Sequence, residues 1–221
     1  MSRLVYDGRA EKGSRFWMQE CINNEDLLER LNKDILNAAD LSGIDLNVIE
    51  WLSPLADNNY KEYQLSQTFL CENFGLENFD FSFWPKRGPQ WDAIGIADDK
   101  TIILVEAKAH LGEWSSYLSS KNHDNTRLIK KAITEVFSDY GGDETKRTHG
   151  YYQLSNRIVF WHRFKQYNHP CVLILLNFTN DRRFKPTSEE DFSKKCKKVF
   201  LDLTGSVTPP EGIIPIYFNV G

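Results

Sequence analysis

Long apolar runs are missing from this chain of 221 residues. The longest, Val172-Leu173-Ile174-Leu175-Leu176, has the length of a strand and falls well short of the roughly 18 residues a membrane-spanning helix needs. A membrane is therefore not among the expected partners. Residues Met1 to Glu20 carry charges throughout and lack the apolar stretch of a signal peptide, so the expected location is cytoplasmic. Cysteine is scarce as well. The four present (Cys21, Cys71, Cys171 and Cys196) lie far apart with no C-x-x-C pair, which excludes a disulfide scaffold and fits reduced thiols in the cytoplasm. There is no internal repeat and no low-complexity segment. What is present, 41% hydrophobic, 26% charged and 13% aromatic residues, is the composition of a globular domain, and the length suits one core.

The formal net charge of −4 hides an asymmetry. Residues 121–200 hold 16 Lys and Arg against 9 Asp and Glu, while the remainder holds 11 against 22. A basic part beside an acidic part suits a protein that holds a polyanion on one face, and equally a solvated surface whose charges mix in space.

Spacing predicts helix over residues 14–41, capped by Ser14 and broken near Asn23-Asn24, and a connecting stretch over 41–59. A further helix is expected over 59–72, stopped by Gly75. It would carry Glu62, Leu65, Phe69 and Glu72 on one face. Strands are expected at 79–84, 91–97 and 101–109, helices at 125–140 and 150–167, and strands at 171–178 and 213–220, with 199–203 after a basic stretch. The fold class is α/β: a mixed central sheet flanked by helices, with residues 1–58 as a helical N-terminal region and 59–221 as the core.

The segment from Trp91 to Lys108 carries the chemistry. With Asp98-Asp99-Lys100 as a hairpin tip, Ile96 faces Ile102, Ile94 faces Leu104, and Asp92 faces Glu106. Directly opposed side chains stand about 4.5–5.5 Å apart, and Lys108 shares the face of Glu106. Two carboxylates that close repel one another unless a cation sits between them. An all-oxygen site of this kind, to which the Ala107 carbonyl can add, suits Mg²⁺ or Mn²⁺. On the helix at 150–167, Gln153 and Arg157 are four apart and lie on one face. The alternative is a surface salt-bridge trio at the base of a hairpin, against which the apolar neighbours Ile94, Leu104 and Val105 argue.

An Asp, a spacer that spans a hairpin, then Glu-x-Lys resembles the signature of the PD-(D/E)xK nuclease superfamily, with its restriction-endonuclease-like fold. The matching residues are Asp92, Glu106 and Lys108. Trp91 stands where a proline usually precedes the aspartate, and the resemblance covers about residues 60–179. It implies a metal-dependent phosphodiester hydrolase. Asp92, Glu106, the Ala107 carbonyl and a helical Glu62 would serve the metal, Lys108 would assist the attacking water, and Gln153 would support the site. It implies nucleic acid as partner, DNA rather than RNA, and allows a homodimer or a protein partner. The cysteines lack the clustering of the superfamily's iron–sulfur members. The other reading is a catalytically inactive nucleic-acid-binding or regulatory module on the same fold. Trp84, Trp91 and Trp114 are candidates either for base stacking or for the core, and His110 and Glu113 for the mouth of the site. Arg182, Arg183, Lys185 and the lysines at 194–198 are candidates for phosphate contacts.

Overall fold

Alternating apolar side chains set the sheet at the centre of the fold. In the computed structural model, which describes residues 8–97 and 100–221, the chain forms α1 (Gly13–Asn23), α2 (Glu25–Leu41), β1 (Ile49–Ser53) and α3 (Gln67–Phe74). Next come β2 (Ala93–Ala97), β3 (Thr101–Lys108), β4 (Ser116–Tyr117), α4 (His123–Val136), α5 (Glu144–Thr148) and β5 (His149–Gly150). The chain ends with α6 (Tyr152–Gln166), β6 (Cys171–Thr179), α7 (Glu189–Thr204) and β7 (Ile213–Asn219). The main sheet runs β1-β2-β3-β6-β7; β1, β2 and β3 pair antiparallel, and β3, β6 and β7 pair parallel. This is the mixed sheet with flanking helices that the sequence leads one to expect.

Residues one apart along a strand point to opposite faces, and the two cores divide accordingly. Ile94, Leu104, Leu173 and Leu175 face α3, α4, α6 and α7. Ile103, Val105, Ile174 and Leu176 face α1 and α2. Residues 8–58 are thus one of the two helical layers, and they also supply the edge strand β1, which the connecting stretch over 41–59 did not foresee. In β1 the burial alternates, with Ile49 and Trp51 inside. Gly95 of β2 lets it approach: a Cβ there would meet the Glu50 carbonyl and the Trp51 ring at 3.2 Å.

Several local expectations are corrected. The first helix starts at Gly13 after Lys12, without the Ser14 cap, and breaks at Asn24, whose side chain caps α2 by accepting from the Leu27 amide. No helix covers 59–66. Ser66 caps α3 by accepting from the Phe69 amide, and Gly75 closes that helix in the left-handed conformation, as expected. Residues 79–84 are no strand, because Asp80 accepts from both the amide and the hydroxyl of Ser82 and bends the chain. Residues 199–203 belong to α7, whose buried Phe192, Cys196, Val199, Phe200 and Leu203 follow helical spacing. The hairpin tip at Asp98-Asp99 lies outside the described residues, but its register holds: Ile96 pairs with Ile102 and Ile94 with Leu104.

Candidate active site

The ladder between β2 and β3 ends at Ala93 and Val105, so Asp92 does not sit as the last cross-strand partner of Glu106. It turns along the strand end instead, and its Oδ2 accepts the Ala107 amide at 2.7 Å. The amide and carbonyl of one strand residue leave on the same side, so the Ala107 carbonyl faces the same edge as Asp92. Glu106, two residues before Lys108 on the same face, is 2% exposed and receives two cations. The Lys108 ammonium meets its Oε1, and Arg157 Nε donates to its Oε2 at 2.6 Å. Lys108, itself buried, also donates to Gln153 Oε1 at 3.0 Å. Asp92, Glu106, Lys108 and Gln153 therefore converge at one end of the sheet.

Arg157 does more than its spacing from Gln153 suggested. Its guanidinium donates to Glu106, to the Gln90 carbonyl at 2.6 Å and to Asn156 Oδ1 at 2.8 Å, and it lies over the Trp91 ring, 4.7 Å from the centroid. It thus locks the loop before β2 to the strand that carries Glu106. The available signal was an arginine in the middle of an apolar helix, a charge that must find a partner.

Glu62 reaches the site by a different route from the one expected. It lies in an extended segment beside Gln90 and Trp91, where the Trp91 amide donates to the Tyr63 carbonyl and Gln64 bridges to Gln90. The stripe of 62, 65, 69 and 72 is therefore not a helix face, and Glu72 is exposed on α3. Glu62 is buried, and Arg15 of α1 stands 3.2 Å from its Oε1. No sequence spacing linked Arg15 to this place, 47 residues away in the chain.

Electrostatics divides the three acids. Burial pushes the Glu62 carboxyl up to about 8, helped by the nearby negative charge of Asp92, with Arg15 and Arg157 pulling the other way. Burial and Glu106 push Asp92 up to about 7 against the pull of Lys108 and the Ala107 amide. Burial acts on Glu106 too, but Arg157 and Lys108 outweigh it and hold that carboxyl below its ordinary value. One acid is fixed as a carboxylate by two cations, and two others share the strain of a crowded negative site.

Whether the set fits a divalent cation turns on its free oxygens. Both Glu106 oxygens already accept from cations, and among the described residues no group of three or more His, Cys, Asp or Glu side chains is disposed to hold a metal. Against that, Asp92 Oδ1 accepts no hydrogen bond among the described residues, its carboxyl gains from any nearby positive charge, and the Ala107 carbonyl points the same way. A carboxylate oxygen that accepts one bond keeps a lone pair for another. Oxygen donors of this kind are the ones a hard cation takes.

A small cavity of ≈ 10 Å³ adjoins the cluster, lined by Glu106, Lys108, Trp114, Gln153, Leu154 and Leu175. Trp84, Trp91 and Trp114 are buried and belong to the core, so they are not stacking surfaces. His110 and Glu113 shape the turn after β3: His110 Nδ1 accepts from the Gly112 amide, and Glu113 Oε2 accepts from the Ala109 amide at 2.6 Å. No helix among the described residues is long and apolar enough to cross a membrane. No protein-family model, curated protein or solved structure matches this chain.

Proposed function

We propose that the protein is a divalent-cation-dependent nuclease that hydrolyses phosphodiester bonds in nucleic acid, DNA rather than RNA, on a restriction-endonuclease-like fold. The observation that carries this reading is the meeting of Asp92, Glu106 and Lys108 at one hairpin end, with Gln153 of α6 against the lysine. The setting supports it. The two acids lie on and beside an antiparallel pair of apolar strands, and a following helix brings the glutamine, as the PD-(D/E)xK resemblance implies; the next strand, β6, runs parallel to β3.

Asp92, Glu106 and the Ala107 carbonyl would hold Mg²⁺ or Mn²⁺, with Glu62 alongside. When bound, such a cation polarises a phosphodiester and acidifies water. Lys108, fixed between Glu106 and Gln153, presents positive charge where the phosphate gains negative charge in the transition state and orients the attacking water. Gln153 uses its amide oxygen on the lysine, which leaves its NH₂ to donate to a phosphate oxygen. Arg157 keeps Glu106 ionised and in place. A cytoplasmic protein, working alone, as a homodimer or with a protein partner, is consistent with this chemistry.

One observation favours a second reading. Because Glu106 is already neutralised by Lys108 and Arg157, the cluster can stand without metal, and the protein would then be a nucleic-acid-binding or regulatory module. A cleavage panel of supercoiled and linear duplex, single-stranded DNA and RNA, with Mg²⁺ or Mn²⁺ and with EDTA, separates the two. Metal-dependent cutting that disappears in Asp92→Ala and Lys108→Met establishes the nuclease. No cutting, and no rise in melting temperature with either metal, would leave the module.

A further inference from the structure

Two basic clusters differ in how they are paired. On α7, Lys194 pairs with Glu190 at 2.6 Å and Lys198 with Asp202 at 3.2 Å, so two of the four lysines of that stretch are neutralised on their own helix, while Lys195 lies 5.1 Å from the Tyr151 centroid. At the C-terminal ends of β3 and β6 the pattern differs. Lys12 precedes α1, and Arg182, Arg183 and Lys185 lie in the loop after β6. Among the described residues none of these four has an ion pair.

Aromatic rings hold three of them in place. Lys12 lies 4.9 Å and Lys185 5.1 Å from the Phe184 centroid, and Arg183 lies 4.2 Å from that of Phe16. The two ammonium groups on Phe184 are therefore within about 10 Å of one another, the screening length at about 0.1 M salt. Ring faces attract cations without neutralising them, so this arrangement collects positive charge and leaves it available. Phe184 also touches the His110 ring, centroids 5.6 Å apart, and His110 is two residues beyond Lys108. The collected charge thus borders the catalytic end of β3, and its mutual repulsion is relieved by an anion.

We infer that the rim formed by Lys12 and Lys185 on Phe184, Arg183 on Phe16 and the adjoining Arg182 is the docking surface for the sugar–phosphate backbone of the nucleic acid flanking the scissile bond. The choice of partner rests on the nuclease reading of the site. Cations without ion pairs, gathered on neighbouring rings and in one loop, suit a polyanion, whereas Lys194 and Lys198 of α7 would have to break their pairs to do the same. The rim contributes affinity and position without reading base sequence.

The test is binding of a fluorescein-labelled DNA duplex and its single strand to the full chain in EDTA, where no cutting occurs, over a series of NaCl concentrations. In Lys12→Gln/Arg182→Gln/Lys185→Gln, the slope of log K against log salt shrinks by about 2–3 and affinity at low salt falls at least tenfold, on the order of one released counterion per lost phosphate contact. Lys194→Gln/Lys198→Gln binds as wild type. Melting curves check folding, and Lys185→Gln alone, with a slope loss of about 1, serves if the triple variant is unstable. A triple variant with wild-type affinity and slope, an equal loss in the α7 variant, or a wild type that binds neither form of DNA at low salt overturns the rim. The nuclease reading fails separately. Rim-dependent binding with no cutting and no metal-induced stabilisation would sink the nuclease and keep the rim. Metal-dependent cutting with binding indifferent to the rim residues would do the reverse.

Discussion

Glu106 has almost no contact with solvent, and both its oxygens depend on a partner from elsewhere in the chain or two residues on. Taking away one partner strands a buried charge, whereas taking away both can be nearly neutral. Arg157→Met is therefore expected to lower stability by about 3–5 kcal/mol in urea unfolding, and Glu106→Gln/Arg157→Met to recover part of that loss. Equal losses in the single and double variants would refute the pairing. Glu62 makes an opposite, pH-dependent contribution. Its carboxyl rises from 4.5 to about 8 on folding, so between those values the native protein retains a proton that the unfolded chain releases. Stability on this account is greatest below about 4.5 and declines as pH rises towards about 8. Glu62→Gln, which is neutral at every pH, should gain on wild type by a margin that grows between pH 5 and pH 8, on the order of a few kcal/mol at the upper end. Parallel stability curves for the two proteins would contradict it.

At the scale of elements, Gly95 and Ser188 each set one boundary. Gly95→Val puts side-chain atoms where the Glu50 carbonyl and Trp51 ring already lie, so β1 must move, at about 1–3 kcal/mol. Ser188 accepts from the Asp191 amide and donates to its carboxylate, and Ser188→Ala should cost α7 about 1 kcal/mol in thermal or urea unfolding. What the sequence made legible follows the same local logic. The β2–β3 register could be read because a short turn leaves one pairing that keeps Ile94, Ile96, Ile102 and Leu104 in their rows. The position of Lys108 beside Glu106 then needs only the period of two. Glu62 was placed near the acids on the wrong element, since Leu65 and Phe69 fit a helical stripe while Ser66 had already marked the true start of α3. Helix α7 was obscured by its lysines, although the spacing from Phe192 to Leu203 and the Ser188 cap were present. Arg15 and the second role of Arg157 depend on contacts between distant segments, and no local period encodes those.

At the scale of the molecule, the helices before residue 58 are half of the fold's covering. They bury Ile103, Val105, Ile174 and Leu176 on one face of the sheet, and they carry Arg15 to Glu62 and Lys12 to the rim. A fragment comprising 59–221 would expose that face and lose the edge strand, so it is expected to aggregate or to melt without a cooperative transition in calorimetry. A soluble fragment with a sharp transition would show that the core stands alone.

The cavity beside Lys108 bears on which nucleophile the site can use. Its ≈ 10 Å³ is about the least that admits one water molecule, and its walls are Trp114, Leu154 and Leu175 besides the polar cluster. Under the proposed reading, a nucleophile that waits there is selected by size before it is selected by acidity. Methanol or glycerol, which compete readily at an open site, would find no room next to the ammonium. Cleavage in water–alcohol mixtures should then yield free phosphate ends and no alkyl phosphodiesters, a partition that mass spectrometry of the products reads directly.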